Sequence, residues 1–400
     1  MPEPGSGGNV PARDRRAGRR LGAMRVAIAT ESFLPQINGV TNSVLRVAEY
    51  LHDRGDAALI IAPDDHGVPP SYAGYPVVTV PSISLPLYQD VKVALTPGFD
   101  MDALLGDFAP DVVHAAAPFV IGSAALAAAA RLAIPSVAVY QTDLPSYTSR
   151  YGWSLVENLA WTRLRDIHSL ANLTLAPSTP ARDQLLAHGV PRVKIWGRGV
   201  DTDRFNPAKR DQRLHDGWAP ADQVVVGYMG RLAPEKQVAD LAGVASLSGT
   251  SLIVIGDGPS RRELTDQLPG AHFLGRLEGE TLAVALASLD IFVHPGELET
   301  FGQAIQEALA SGLPVVAPAK GGPIDLVTPG RTGYLYPPGD LDELAAAVWR
   351  LVGQPDRRRR IGLAARRFAQ GRTWPRVCAR LVAYYDEVIT LATGVEPNPL

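Results

Sequence analysis

From Met24 onward, short apolar runs alternate with amphipathic helical stretches, and the whole alternation occurs twice. In the first set, "RVAIAT" at 25–30 leads to a helix predicted from about Val40 to Arg54, with Val40, Val44, Val47 and Leu51 on one face, and then to "AALIIAP" at 57. "DVVHAA" at 111, "SVAVYQTD" at 136 and "LTLAPS" at 173 continue the series. The second set starts near Val224 with "VVVGYMGR" and proceeds through "SLIVIGDGP", "HFLG", "DIFVHP", "LPVVAP" and "GYLYPPGD". Continuous apolar strands separated by helices belong to parallel sheets covered on both faces. The pattern predicts an α/β chain of two Rossmann-like units, a first over 24–196 and a second over 197–373, joined around "WGRGVDTDRFNP" at 196–207. The Gly, Asp and Pro content of that junction suits a hinge. A closing helical region over 374–400, with "RVCARLVAYYDEVITLA", is placed to pack back on the first unit. Open parallel sheets bind ligands beyond the carboxyl ends of their strands, so two facing units converge on one interdomain cleft.

Composition removes several alternatives. Of 400 residues, 46% are hydrophobic and 20% charged, enough for a core in each of two domains. A net charge of −3 argues against broad nucleic-acid binding. Cys378 is the single cysteine, which permits no intramolecular disulfide and fits a reducing cytoplasm. Residues 1–23 are Gly/Pro-rich, carry "RDRRAGRR" at 13–20 and lack the apolar stretch of a secretion signal. They are expected to be disordered, the alternative being a basic arm that tethers the chain to a membrane. The longest apolar run, 124–140, is broken by Arg131 and Pro135 and reads as a helix turning into a strand rather than a span.

The chemistry concentrates in "HPGELETFGQAIQEALASG" at 294–312, where Glu299 and Glu307 stand eight positions apart. On one helix, eight steps of ~100° would leave them about 80° apart and two turns distant, which rules out a facing acid/base pair. Thr300 to Gln303 reads as a capping box that makes Thr300 the N-cap and puts Glu299 in the preceding loop. The amides of Phe301, Gly302 and Gln303 would then form an anion site at the positive end of the helix dipole. Glu307 would lie roughly 9 Å further along the helix. The arrangement suits an elongated ligand with an anion in its middle. The simpler alternative is an ordinary half-buried helix with Ala304, Ile305, Ala308 and Leu309 as its apolar stripe.

Arg231 and Lys236, five apart in the strand-end loop "GRLAPEK", are natural partners for a diphosphate, or else plain surface cations. No G-x-G-x-x-G follows the first strand, where only Gly39 stands. The glycines of "GDGP" at 256–259 would let a base lie against backbone. Asp201-Thr202-Asp203 and Asp100-Met101-Asp102 have a spacing that can chelate a nucleotide-bound cation, but the first also suits a turn or cap. The eight histidines show no ligand spacing, although His114, at a strand end, is a candidate to face the cleft. No metal and no cofactor is implied.

"GRLAPEK", "GDGP" and "ETFGQAIQEALASGLPVVA" together resemble the E-x7-E retaining glycosyltransferases of the GT-B fold, family 4, across almost all of residues 24–390. "ESFLPQINGVTNSVLRVAEYL", "QTDLPSY", "LAPST" and "GRTWP" look closest to actinobacterial GDP-mannose-dependent α-mannosyltransferases that elongate glycolipids. The resemblance implies that Glu299 contacts the donor sugar and that Arg231, Lys236 and the Phe301 and Gly302 amides hold its diphosphate. It implies further that Glu307 binds the ribose, that Gly39 approaches the phosphate from the other domain, and that Arg276 and Leu277 border the base. Gln141 replaces the His of many relatives near the transferred sugar, so it is expected to position rather than to take a proton. Asp143 is a candidate for orienting the acceptor. The implied reaction transfers a hexose, without a metal, to a lipid-linked sugar at the inner membrane face. The alternatives are a UDP-sugar-dependent enzyme, a non-hydrolysing nucleotide-sugar epimerase and a non-catalytic sugar-nucleotide binder. "RYGWSLVENLAWTRLRDIH" at 150–168, with Trp153, Leu155, Leu159, Trp161 and Leu164 among Arg150, Arg163 and Arg165, suits either an interfacial helix or a core helix with a basic face.

Overall fold

The computed structural model describes residues 23–85, 88–94, 98–141, 154–219 and 223–394. Two sheets dominate. The first has eight strands in the order Val193–Ile195, Leu173–Ala176, Ser136–Val139, Val112–Ala116, Arg25–Thr30, Ala57–Pro63, Tyr75–Val80 and Ser71–Tyr72. Only the terminal pair, Ser71–Tyr72 with Tyr75–Val80, is antiparallel. The second has six strands, all parallel, in the order His272–Gly275, Thr250–Ile255, Val224–Met229, Ile291–Val293, Val315–Pro318 and Gly333–Tyr336.

The first strand sits in the middle of its sheet, with Ile28 level with Ile60 on one neighbour and His114 on the other, and its apolar residues are fully enclosed. The helix Gly39–Asp53 lays Val44, Val47 and Leu51 on that sheet, as the spacing predicts, but starts one residue earlier than expected. Asn38 explains the start, because its side chain accepts from the amides of Val40 (2.9 Å) and Thr41 (3.0 Å). The strands over 71–80 and the hairpin Ser82–Leu85/Tyr88–Ala94 were not anticipated. They lie in a Pro/Gly-rich stretch, and the strand Tyr75–Val80, half-exposed near the edge of the first sheet, lacks the continuous apolar signature of central strands.

The last helix, Trp374–Thr393, follows the second unit in sequence but packs on the first sheet, where Trp374, Cys378, Leu381 and Tyr385 join Val44, Val47 and Val137 in one core. Tyr385 ties it to the sheet by a 2.7 Å hydrogen bond between its hydroxyl and His114 Nδ1. His114 therefore faces this core and not the cleft, and burial pushes its pKa down to about 4, leaving it neutral.

The helix Ser154–Ser169 settles the choice left open for 150–168 in part. Trp161 and Leu164 are buried, Trp161 stacking on His188 at 3.7 Å, so neither is available to a lipid surface. Leu159, Arg163 and Arg165 remain exposed, while residues 150–153 and the Leu155 side chain lie outside the described set. No helix among the described residues is long and apolar enough to cross a membrane.

Candidate active site

The two sheets meet along their strand-end loops. Ser178 Oγ, after a strand of the first sheet, donates to the Thr300 carbonyl at 2.7 Å, and the Thr179 amide donates to Asp325 at 2.5 Å. Between these ties lies the Glu299 loop. Its backbone is held by Gly322, whose amide donates to the Glu299 carbonyl at 2.7 Å, and by Gln237, whose side-chain oxygen accepts from the Glu297 amide at 3.0 Å. Gly321 and Gly322 pack so closely on residues 299 and 301 that an added Cβ would stand 2.4 and 2.2 Å from their carbonyl oxygens. Only glycine permits that approach.

The helix begins later than the capping box predicts. It runs Gln303–Ala310, its N-cap is Gly302 with φ 94°, and Thr300 caps nothing. Thr300 instead turns its hydroxyl toward the Gln141 carbonyl, at 3.5 Å across the domain boundary. A left-handed turn at Gly302, closed to most other residues at low cost, swings the chain out of the loop and into the helix. Phe301 is a core residue, so its contribution to the site is its backbone.

Glu299 is the electrostatic centre. The Lys236 ammonium donates to its Oε1, and His294 Nε2 stands 3.2 Å from the same oxygen, in an orientation poor for a hydrogen bond. Burial, the largest single influence, acts to raise the Glu299 pKa, but Lys236 and then His294 reverse it and hold the value at about 2. Glu299 is thus ionised at any working pH. Glu307 has opposite surroundings. Burial raises its pKa to about 7, against the smaller opposing effects of Gln303, which donates at 3.1 Å, and of the Arg204 charge. Near neutral pH it holds its proton about half the time.

Lys236 ends a short 3₁₀ turn, Pro234–Lys236, after the strand Val224–Met229. Arg231, in the same loop, is exposed and makes no side-chain hydrogen bond or ion pair among the described residues. The structure thus commits Lys236 to Glu299 and leaves Arg231 facing solvent. The "GDGP" glycines have a structural use of their own. A Cβ on Gly256 would meet the Gly230 carbonyl oxygen at 1.9 Å and one on Gly258 the Leu232 oxygen at 2.3 Å. They brace the Arg231–Lys236 loop by close backbone packing. Arg276 is exposed and paired with Glu278 at 2.6 Å, and Leu277 packs on the core behind it.

On the facing unit, Gly39 opens its helix and Gln141 follows the strand Ser136–Val139. Asp143 lies outside the described residues. An apolar cavity of about 240 Å³ opens beside Gln141, walled by Phe119, Val139, Tyr140 and Leu164 and fringed by Arg163. Asp201 caps its own turn, accepting from the amides of Asp203 (3.2 Å) and Arg204 (2.9 Å), and Asp100 caps the helix that follows it. No cluster of metal-ligating side chains is present among the described residues.

Two groups escaped the sequence reading. Glu31, directly after the first strand, accepts with one oxygen from the amides of Phe119, Val120 and Gly122 at 2.8 to 2.9 Å, filling the N-terminus of the helix Ile121–Arg131. Burial raises its pKa against those amides. Arg198, read only as part of a hinge, reaches across to Gln141, donating from Nη2 to Oε1 at 3.0 Å. Flanking glycines hid it, because "WGRGVD" carries no spacing that separates a site residue from a turn.

Two parallel-sheet units with a cationic strand-end loop, an ionised glutamate and a helix start at their junction define a GT-B glycosyltransferase. Sucrose-phosphate synthase from Thermosynechococcus elongatus superposes with a TM-score of 0.75 over 92% of this chain and 100% of its own, at 19% identity. Anabaena HepE in complex with UDP and glucose gives 0.69 over 92% and 100%, at 22% identity. The family model "Glycosyltransferase Family 4" matches residues 37–204 and "Glycosyl transferases group 1" matches 211–368. The chain belongs to glycosyltransferase family 4. It is 48% identical to a GDP-mannose-dependent α-mannosyltransferase of Mycobacterium tuberculosis, covering 91% of this chain and 97% of the relative. It is 43% identical to one of Corynebacterium glutamicum, covering 93% and 91%.

Proposed function

We propose that this glycosyltransferase moves an α-mannosyl group from GDP-mannose to a hydroxyl of a lipid-linked sugar, with retention and without a metal. The observation that carries the donor is the identity, 43% to 48% over more than nine-tenths of the chain, to relatives named for GDP-mannose-dependent mannosyl transfer. In this reading residues 24–196 take the acceptor, residues 197–373 take the donor, and the helix after them locks onto the acceptor side. Lys236 and Arg231 neutralise the diphosphate together with the amides of Phe301 and Gly302, Glu299 receives the sugar hydroxyls, and Glu307 receives the ribose. Leu277 and Arg276 border the base, and Gly39 lets the phosphate approach the facing domain.

Glu299 is held ionised by Lys236 and so is no proton donor. In this reading transfer is same-face, the leaving phosphate taking the acceptor's proton, and Glu299, with Lys236 and His294 at its oxygen, binds the sugar rather than attacking it. The protein's share is then positioning and electrostatic stabilisation of the leaving group. The apolar cavity beside Gln141 supports an amphiphilic acceptor, and Arg163 at its rim suits contact with an anionic membrane face.

The test is donor choice and product stereochemistry. GDP-mannose turned over in preference to UDP-glucose, with an α-linked product and undiminished rate in EDTA, is the expected result. UDP-glucose preference, a β-linked product, or loss of activity on chelation with recovery in manganese each removes the corresponding part.

A further inference from the structure

Arg198 is placed where an unaccompanied cation is costly. Its backbone moves with the donor side, because its carbonyl accepts from Gln306 at 2.9 Å and the next carbonyl, of Gly199, accepts from Gln303 at 3.3 Å, both on the helix that carries Glu307. Its guanidinium crosses to the other unit and lies on Gly39, where an added Cβ would stand 2.3 Å from Nη1. Gly39 is the first residue of a helix with no acidic residue in its first turn, so the guanidinium meets the positive end of a dipole. No carboxylate forms an ion pair with Arg198 among the described residues. Glu299 is the one carboxylate whose charge supports it, and burial still lowers its pKa, to about 10. A half-buried cation set against a helix N-terminus, without an ion pair among the described residues, is placed to gain from an incoming anion.

Gln141 supplies the second observation. Arginine only donates, so the bond from Arg198 fixes which end of the Gln141 amide faces it, namely the oxygen. The amide nitrogen, Nε2, is then left buried with no hydrogen-bond partner among the described residues. A buried N–H group of Gln141 thus lacks an acceptor, next to the Arg198 guanidinium and a glycine that opens a helix.

We propose that Arg198 is a third cation for the donor diphosphate, presented by the donor side and parked on Gly39 by Gln141 until a β-phosphate takes the place between them. The proposal rests on the nucleotide-sugar reading above and adds to it a residue outside the Arg231–Lys236 loop and the Glu299 helix. On binding, the guanidinium leaves Gly39 and donates to a phosphate oxygen, which draws the two units together and places a positive charge on the leaving group. Arg198 then helps transfer as well as binding.

The test compares GDP with GMP, which differ by the β-phosphate, by titration calorimetry on the full chain and on Arg198→Ala, Arg198→Lys and Gln141→Leu. Arg198→Ala is expected to weaken GDP roughly tenfold to a hundredfold and GMP less than about threefold, as for loss of a hydrogen bond to a charged group. Arg198→Lys should recover part of the loss, since it keeps the charge without the fork. Gln141→Leu should fall between wild type and Arg198→Ala. Retained GMP binding shows that each variant is folded. GDP affinity unchanged in Arg198→Ala, or GDP and GMP lost to the same extent, overturns the role of Arg198 while leaving the donor reading intact. Wild-type protein that binds neither nucleotide removes the donor reading and this inference with it.

Discussion

Glu299 and Glu307 belong to one motif and lie in one chain segment, yet their surroundings drive them in opposite directions. Glu299 sits in a loop braced by Gly321 and Gly322, with Lys236 and His294 at its oxygen, and titrates at about 2. Glu307 sits within the helix Gln303–Ala310, where one amide side chain reaches it and its pKa rises to about 7. Enclosure raises the cost of a carboxylate's charge in both places, and only the first has a bonded cation that offsets it, the Arg204 charge at Glu307 being too weak to do so. Glu299 is held ionised without a ligand and Glu307 is not. In the function proposed here the hydroxyl pair of a ribose supplies the donors that would hold Glu307 ionised.

Removing the cation is the most damaging way to break this contrast. Lys236→Ala strips the pairing from a buried carboxylate and, in the proposed reaction, a charge from the leaving group. Turnover should fall by roughly two to three orders of magnitude, as for a lost electrostatic contact to a transition state. Arg231→Ala should cost less, about tenfold to a hundredfold, because its side chain is exposed and bonds no other side chain among the described residues. Steady-state kinetics on both variants decides, and wild-type rates in Lys236→Ala would remove Glu299 and Lys236 from the reaction.

The carboxylates themselves sharpen it. Glu299→Gln should reduce transfer far more than GDP binding, whereas Glu307→Gln should weaken GDP by about tenfold, the order expected for charged hydrogen bonds to a ribose. The reverse ranking in calorimetry contradicts the placement of the two groups at opposite ends of the donor.

A smaller effect should appear in the stability of the ligand-free protein. The folded pKa of Glu307 is raised above the ordinary glutamate value of 4.5, so the folded chain binds the extra proton between about pH 4.5 and 7. The associated stability is fully present below that window and is lost as pH rises through about 7. Denaturant melts of Glu307→Gln should therefore show a shallower decline over this range than wild type, and parallel curves count against the raised pKa. Gly302→Ala tests the turn between the two groups. At φ 94° it should cost about 1–2 kcal/mol, and an unchanged melt would show that the turn relaxes.

These regions also differ in how far they could be read from sequence. The second sheet was legible strand by strand, because central parallel strands such as Val224–Met229 are buried on both faces and read as unbroken apolar runs. The strand Tyr75–Val80, half exposed near the sheet's edge, was not. Within the candidate site, spacing singled out Glu299, Glu307, Arg231 and Lys236, of which the structure brings Lys236 onto Glu299. It misplaced the helix start, since Thr300 to Gln303 satisfies the capping pattern while the tertiary contacts of Gly321 and Gly322 on the loop favour the left-handed turn at Gly302. Tertiary packing also gives Gly256 and Gly258 a role that no local pattern records, the close approach to the loop at Gly230 and Leu232. Arg198 acquires meaning only when the hinge brings it to Gly39 and Gln141, which no local pattern records. Trp161 and Leu164 look the same in sequence whether they face lipid or His188.

The central claim is that Glu307 is completed by the nucleotide, and counting protons tests it most directly. Titration calorimetry of GDP near pH 6.5, repeated in buffers of different ionisation enthalpy, measures the protons exchanged on binding. A carboxyl titrating at about 7 when free and ionised under the ribose should release about half a proton or more in the wild type beyond that released by Glu307→Gln, with the excess vanishing above about pH 8.5. Equal proton release by the two proteins at pH 6.5 would contradict it.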